Sequence, residues 1–153
     1  MTIRIAIVGS RNYPRPDLVE AFVANLPADC VVVSGGARGV DSAAEDAANA
    51  RGLQTIIFLA DWKNLGRRAG PIRNTQIVAH ADRIVAFWDG RSRGTVNTLA
   101  QANCADLPIE IHGPDGEPVD LATALGCSEE QAVFDASNVG DSGTTAASKA
   151  GAP

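Results

Sequence analysis

Short apolar runs alternate with stretches of helical periodicity along most of the chain. Ile3 to Val8 is apolar except for Arg4, and such a run suits a strand covered on both faces, as in a parallel sheet. Gly9-Ser10-Arg11 ends it. After the loop Asn12 to Pro16, the residues Leu18, Val19, Phe22, Val23 and Leu26 predict a helix over Asp17 to Leu26. Cys30 to Val33 is a second strand, running into the turn Ser34-Gly35-Gly36-Ala37-Arg38-Gly39. An alanine-rich helix follows over Val40 to Ala50, with Gly52 as its C-cap. Leu53 to Leu59 predicts a third strand and Ala60 to Gly70 a long loop. Pro71 is placed as the first residue of a helix running through Ile72, Ile77 and Val78 to Ala81. Arg83 to Phe87 is a fourth strand, Val96 to Ala105 a helix and Leu107 to Ile111 a fifth strand. Gly113-Pro114-Asp115-Gly116 is a turn, and Pro118 to Leu125 a short extended piece or helical turn.

This alternation through five strands, or slightly more, predicts an α/β, doubly wound, mostly parallel sheet. Right-handed crossovers bring every loop that follows a strand to one edge, where such sheets take their ligands. The pattern dissolves after about Cys127. Residues 1–127 are therefore read as one domain and residues 128–153 as a low-complexity, disordered tail, with one short helix over Glu129 to Ala136 ahead of its Ser137 to Pro153 segment.

The length of 153 residues fits a single domain, and no apolar run reaches membrane-spanning length. Met1 leads directly into a strand, so no signal peptide is expected. The three cysteines, Cys30, Cys104 and Cys127, lack metal-ligand spacing and read as reduced thiols in a cytoplasmic protein. No metal, cofactor or membrane contact is expected. The formal net charge of −5 argues against a bulk electrostatic grip on polynucleotide, so a nucleic-acid partner is not expected. Arginines nevertheless crowd the loops, at Arg11, Arg15, Arg38, Arg67, Arg68, Arg73, Arg91 and Arg93. A guanidinium suits bidentate contact with phosphate.

Three turns gather the candidate chemistry. Gly9, Ser10 and Arg11 follow the first strand. Ser34, Gly35, Gly36, Arg38 and Gly39 follow the second and open a helix whose Asp41 either caps it or meets a ribose hydroxyl. This turn lacks the Gly-Lys-Ser/Thr of a P-loop and the complete dinucleotide fingerprint, which lowers kinase, ATPase and nicotinamide dehydrogenase readings. Arg93, Gly94 and Thr95 follow the fourth strand at another helix start. Trp62 and Trp88 fall near the same edge, where an indole can stack on a base. Arg73 and Asn74 lie early in a helix, where the macrodipole disfavours a cation, so Arg73 either holds an anionic ligand or pairs with a carboxylate such as Asp61. No strong catalytic set is visible; Arg73, Asp61 and Asp89 are the weak candidates, and His80 and His112 read as structural.

Val8-Gly9-Ser10-Arg11, Ser34 to Asp41, Ala69-Gly70-Pro71-Ile72-Arg73-Asn74, Ala81 to Phe87 and Gly94-Thr95, in this order, resemble the YspA-like branch of the SLOG (Smf/DprA–LOG) superfamily. The resemblance spans roughly residues 3 to 112. It implies a Rossmann-like fold that binds a nucleotide or nucleotide-derived small molecule as sensor, carrier or sequestering module, and a homodimer as in LOG-type relatives. LOG phosphoribohydrolases use a glutamate just after their Gly-Thr and an arginine on a neighbouring helix, which Arg73 matches. Here Gly94-Thr95 is followed by Val96-Asn97-Thr98. An amide or hydroxyl cannot act as that carboxylate does. Two alternatives remain: a nucleoside-phosphate hydrolase or transferase using Asp61 or Asp89, and a DprA-like DNA-processing accessory.

Overall fold

The computed structural model describes residues 2–126; the expected helix at 129–136 and the expected tail lie outside them. Five strands, β1 (Arg4–Gly9), β2 (Val31–Ser34), β3 (Gln54–Ile57), β4 (Arg83–Phe87) and β5 (Ile109–His112), form one sheet. Their order is β3-β2-β1-β4-β5 and every pairing is parallel. This is the doubly wound arrangement that the alternation of elements implies. Burial follows position in the sheet: Ile5 to Val8, all of β2 and Ile84 to Phe87 are buried, whereas β3 and β5 at the edges are mostly half-exposed.

The connecting helices are α1 (Pro16–Ala24), α2 (Val40–Ala50), α3 (Trp62–Leu65), α4 (Ala69–Ala79) and α5 (Arg93–Cys104). The order of strands carries α1 and α2 across one face and α4 and α5 across the other, since such crossovers are right-handed. Val40, Ala44 and Ala48 form the buried stripe of α2, and the small side chains let it lie close to β1 and β2. Its last turn secures α1: Arg51 Nη1 donates to the carbonyls of Val23 (2.9 Å) and Leu26 (2.6 Å), satisfying groups that a helix end leaves open.

Two expectations change. The loop over Ala60 to Gly70 contains α3, a 3-10 turn at Gly66–Arg68 and the start of α4. Asp61 caps α3, accepting from the Asn64 backbone at 3.2 Å, and capping is a local signal that a run without hydrophobic period conceals. Pro71 is accordingly the third residue of α4 rather than the first. α5 also begins three residues earlier than predicted, at Arg93, because Ser92 Oγ accepts from Thr95 N at 3.3 Å and caps the helix there. Near the end of the described chain, Pro118 forms an isolated bridge with His112, and a last short helix, α6, spans Leu121–Ala124.

Candidate functional site

β1 and β4 are neighbours whose chains leave in opposite directions, β1 into α1 and β4 into α5. Their C-terminal loops therefore part and leave a crevice at the point where strand order reverses. One residue ties the two loops together at its base. Ser10 is fully buried; its N–H donates to the Phe87 carbonyl (3.1 Å) and its Oγ accepts from Asp89 N (2.9 Å). Gly9 is required beside it, because a Cβ there would collide with the Phe87 carbonyl oxygen and with Val40. On the far side, the Tyr13 hydroxyl donates to the Gly113 carbonyl at 2.6 Å.

The crevice opens into a cleft of about 880 Å³. Arg11 comes from the β1 loop, Arg73 and Asn74 from α4, and Arg91, Arg93, Gly94 and Thr95 from the β4 loop and the first turn of α5. Four arginines face two carboxylates, Asp41 and Asp89, so the cleft is locally cationic on a chain of net charge −5. Trp62 forms part of one wall, about half exposed; the Arg11 guanidinium lies 5.9 Å from its ring centroid. Gly70 makes room for it, since a Cβ there would sit 3.1 Å from the indole.

The turn after β2 behaves differently. Gly35, Gly36, Arg38 and Gly39 are not among the residues lining the cleft. Ser34 is buried and its hydroxyl donates to Glu45 at 2.6 Å. Asp41 folds back on the turn and accepts from Ala37 N at 3.2 Å, and Arg73 Nη1 donates to the Gly35 carbonyl at 2.5 Å. A Cβ on Gly35 would meet both the Arg73 guanidinium (2.7 Å) and the Asp41 carboxylate (2.9 Å), so this glycine leaves space for two opposite charges to approach. Burial pushes the Asp41 carboxyl up to about 6, against the downward pull of the Ala37 N–H and the Arg73 charge. Burial also lowers Arg73, which Asp41 opposes. The carboxylate beside Arg73 is thus Asp41 and not Asp61.

The β4 turn is held by Asp89, whose Oδ1 accepts from Arg91 N (2.8 Å) and Ser92 N (2.9 Å). Burial alone would raise the Asp89 carboxyl, but those N–H groups and the Ser10 hydroxyl outweigh it and hold the pKa below the ordinary value. Trp88 turns away from the cleft lining; its Nε1 donates to the Ser92 carbonyl at 3.2 Å. Half-buried Asn97 and buried Thr98, one turn into α5, both line the cleft where the resemblance expects a glutamate. Asn97 accepts from Asn74 of α4 (3.0 Å) and from Gln101 a turn further on (2.9 Å), and nothing in the sequence signals that these amides meet.

The family model for the YspA, cpYpsA-related SLOG family matches residues 3–65. The Gene 61 protein of Mycobacterium phage D29 is 37% identical over a 116-residue alignment that covers 69% of this chain and 93% of that protein. DNA processing protein A (DprA) from Streptococcus pneumoniae superposes with a TM-score of 0.62 at 21% identity, over 89% of this chain. The chain spans 56% of that pneumococcal protein. DNA processing protein A from Helicobacter pylori, whose structure was reported for its unique single-stranded DNA binding mode, gives 0.58 at 18% identity over 91% of this chain and 81% of that one. These two likenesses concern the fold. They correct the expectation that set nucleic acid aside on the ground of net charge: a relative in fold binds single-stranded DNA, and net charge averages over a surface whose cleft here is cationic. Among the described residues no helix is long and apolar enough to cross a membrane.

Proposed function

Because the chain belongs to the YspA, cpYpsA-related SLOG family, we propose that its cleft binds a nucleotide or nucleotide-derived phosphate ligand at the C-terminal edge of the sheet, as sensor, carrier or sequestering module. The observation that carries this reading is the gathering of Arg11, Arg73, Arg91 and Arg93 with the first turn of α5 at the strand-order reversal. Arginine forks and helix N–H groups recognise phosphate, and the exposed indole of Trp62 offers a face to a base. The hydrolytic alternative lacks comparable support. Asp61 caps α3, Asp89 is engaged by two backbone N–H groups, and Asn97 supplies no carboxylate.

Isothermal calorimetry with AMP, ADP, ADP-ribose, a cyclic nucleotide and adenosine tests the reading. A phosphate-bearing member should bind, adenosine should not, and Arg93→Ala should weaken the interaction. Folded protein that takes up none of the phosphate-bearing compounds would remove it.

A second reading is a DNA-processing role in which the same cleft takes a segment of single-stranded DNA. It is supported by the Trp62–Arg11 pair, since stacking on an aromatic beside a guanidinium is how single strands are held without sequence preference, and by the fold neighbour that binds such DNA. A gel shift with an oligonucleotide at low salt separates the two. Retention that falls steeply as salt rises favours DNA, whereas nucleotide binding without retention leaves the first reading in place.

A further inference from the structure

A row of side-chain amides runs between α4 and α5, with Asn74 and Asn97 lining the cleft, and its polarity is fixed from both ends. At one end Arg73 Nε donates to Asn74 Oδ1 at 3.0 Å. A guanidinium has no acceptor, so the oxygen of Asn74 must face it. The Asn74 nitrogen then faces the Gly94 carbonyl (3.4 Å) and Asn97 Oδ1 (3.0 Å). At the other end Gln101 Nε2 donates to the Pro71 carbonyl (3.2 Å) and to Asn97 Oδ1 (2.9 Å), while Thr75 Oγ1 donates to Gln101 Oε1 (2.7 Å). Backbone carbonyls only accept, so this end also permits one orientation.

Two N–H donors therefore converge on the single oxygen of Asn97 and occupy both of its lone pairs. Its nitrogen, with two protons, has no partner among the described residues, and Asn97 lines the cleft. We propose that this relay makes Asn97 a fixed hydrogen-bond donor to the ligand, selecting an anionic phosphate oxygen beside the first turn of α5. An asparagine with free rotation could present either atom; this one cannot turn over without setting two N–H groups against its own. The inference rests on the phosphate-ligand reading and specifies one contact within it. A carboxylate at the same place would offer that oxygen no donor.

Asn97→Asp separates this role from a structural one. The aspartate keeps an oxygen toward Asn74 and Gln101, so the relay survives, but a second, charged oxygen replaces the donor. With AMP and ADP-ribose as calorimetric probes, Asn97→Asp should bind at least about tenfold more weakly than wild type, with no loss of urea midpoint. Asn97→Ala, which removes the donor without adding charge, should lose less affinity. The Asn97 side-chain amide resonances, assigned by their absence from the Asn97→Ala spectrum, should also shift in wild-type protein on saturation with the probe. Wild-type affinity in Asn97→Asp, or an unmoved Asn97 amide in saturated wild-type protein, overturns the proposal while leaving the cleft reading intact. Failure of both probes to bind wild-type protein removes the cleft reading, and this proposal with it.

Discussion

The turns after β2 and β4 look alike in sequence, each a glycine-bearing step into a helix with arginine nearby, yet they present different residues to the cleft. The β2 turn spends several of its polar groups within the chain. Ser34 is bound to Glu45, Ala37 N to Asp41, and the Gly35 carbonyl to Arg73. Gly35 leaves room for the Arg73 guanidinium and the Asp41 carboxylate, and neither it nor Gly36 and Gly39 lines the cleft. The β4 turn is held from beneath by Asp89 and Ser92, which leaves Arg91, Arg93 and Gly94 on the cleft. A glycine-rich turn before a helix offers a ligand only those groups that face a cleft, and these two turns differ in which of their residues do so.

The glycines should break the likeness most sharply. Gly39 has φ +83°, and a Cβ there would lie 2.5 Å from the Arg11 carbonyl oxygen, a backbone atom. Gly39→Ala should cost about 3 kcal/mol or more in urea denaturation, through strain and clash together. Gly94 has nothing within 4 Å of such a Cβ, so Gly94→Ala should stay within about 0.5 kcal/mol of wild type.

Arg73 is the link between the two turns. Arg73→Ala leaves the Gly35 carbonyl without its donor and Asp41 without the adjacent cation, and should cost about 2 kcal/mol by the same assay. The Asp41 pKa should rise further in that variant, as a carboxyl ¹³C titration would record.

Asp41 makes the β2 turn sensitive to pH. Its folded pKa of about 6 exceeds the ordinary 3.8, so the native state holds the proton more tightly than the unfolded chain. That contribution favours folding at low pH and is lost as pH rises through about 4 to 6. Asp41→Asn keeps an acceptor for Ala37 N and removes the titration. Its stability relative to wild type should improve by about 2 kcal/mol between pH 4 and pH 7. A constant difference across that range would show that the carboxyl is not strained by burial.

The smallest contrast lies on the surface. Arg38 and Arg93 are both exposed, but only Arg93 lines the cleft. Arg93→Ala should weaken binding of a phosphate-bearing nucleotide about tenfold and leave stability unchanged, whereas Arg38→Ala should alter neither. Equal losses of affinity would return the β2 turn to the binding site.

Local sequence signals carried the fold far. The apolar runs of β1, β2 and β4 mark strands covered on both faces, the Val40–Ala44–Ala48 stripe marks a helix packed close, and strict alternation of the two dictates a parallel sheet. Boundaries slipped where a cap rather than a hydrophobic period sets them, as at Asp61 and Ser92. The presence of Arg11, Arg73 and Arg93 at one edge also follows from topology, because every loop after a parallel strand leaves on the same side. What the linear order could not convey is which polar groups meet: Arg73 with Gly35, 38 positions away, Asp89 with Ser10, 79 away, and Asn97 with Asn74, 23 away. Sequence alone thus determined the sheet and the edge at which its turns assemble, because periodicity and handedness are local properties. Only the tertiary structure decided which residues of each turn line the cleft, because a polar group is exposed or engaged according to partners that approach from distant parts of the chain.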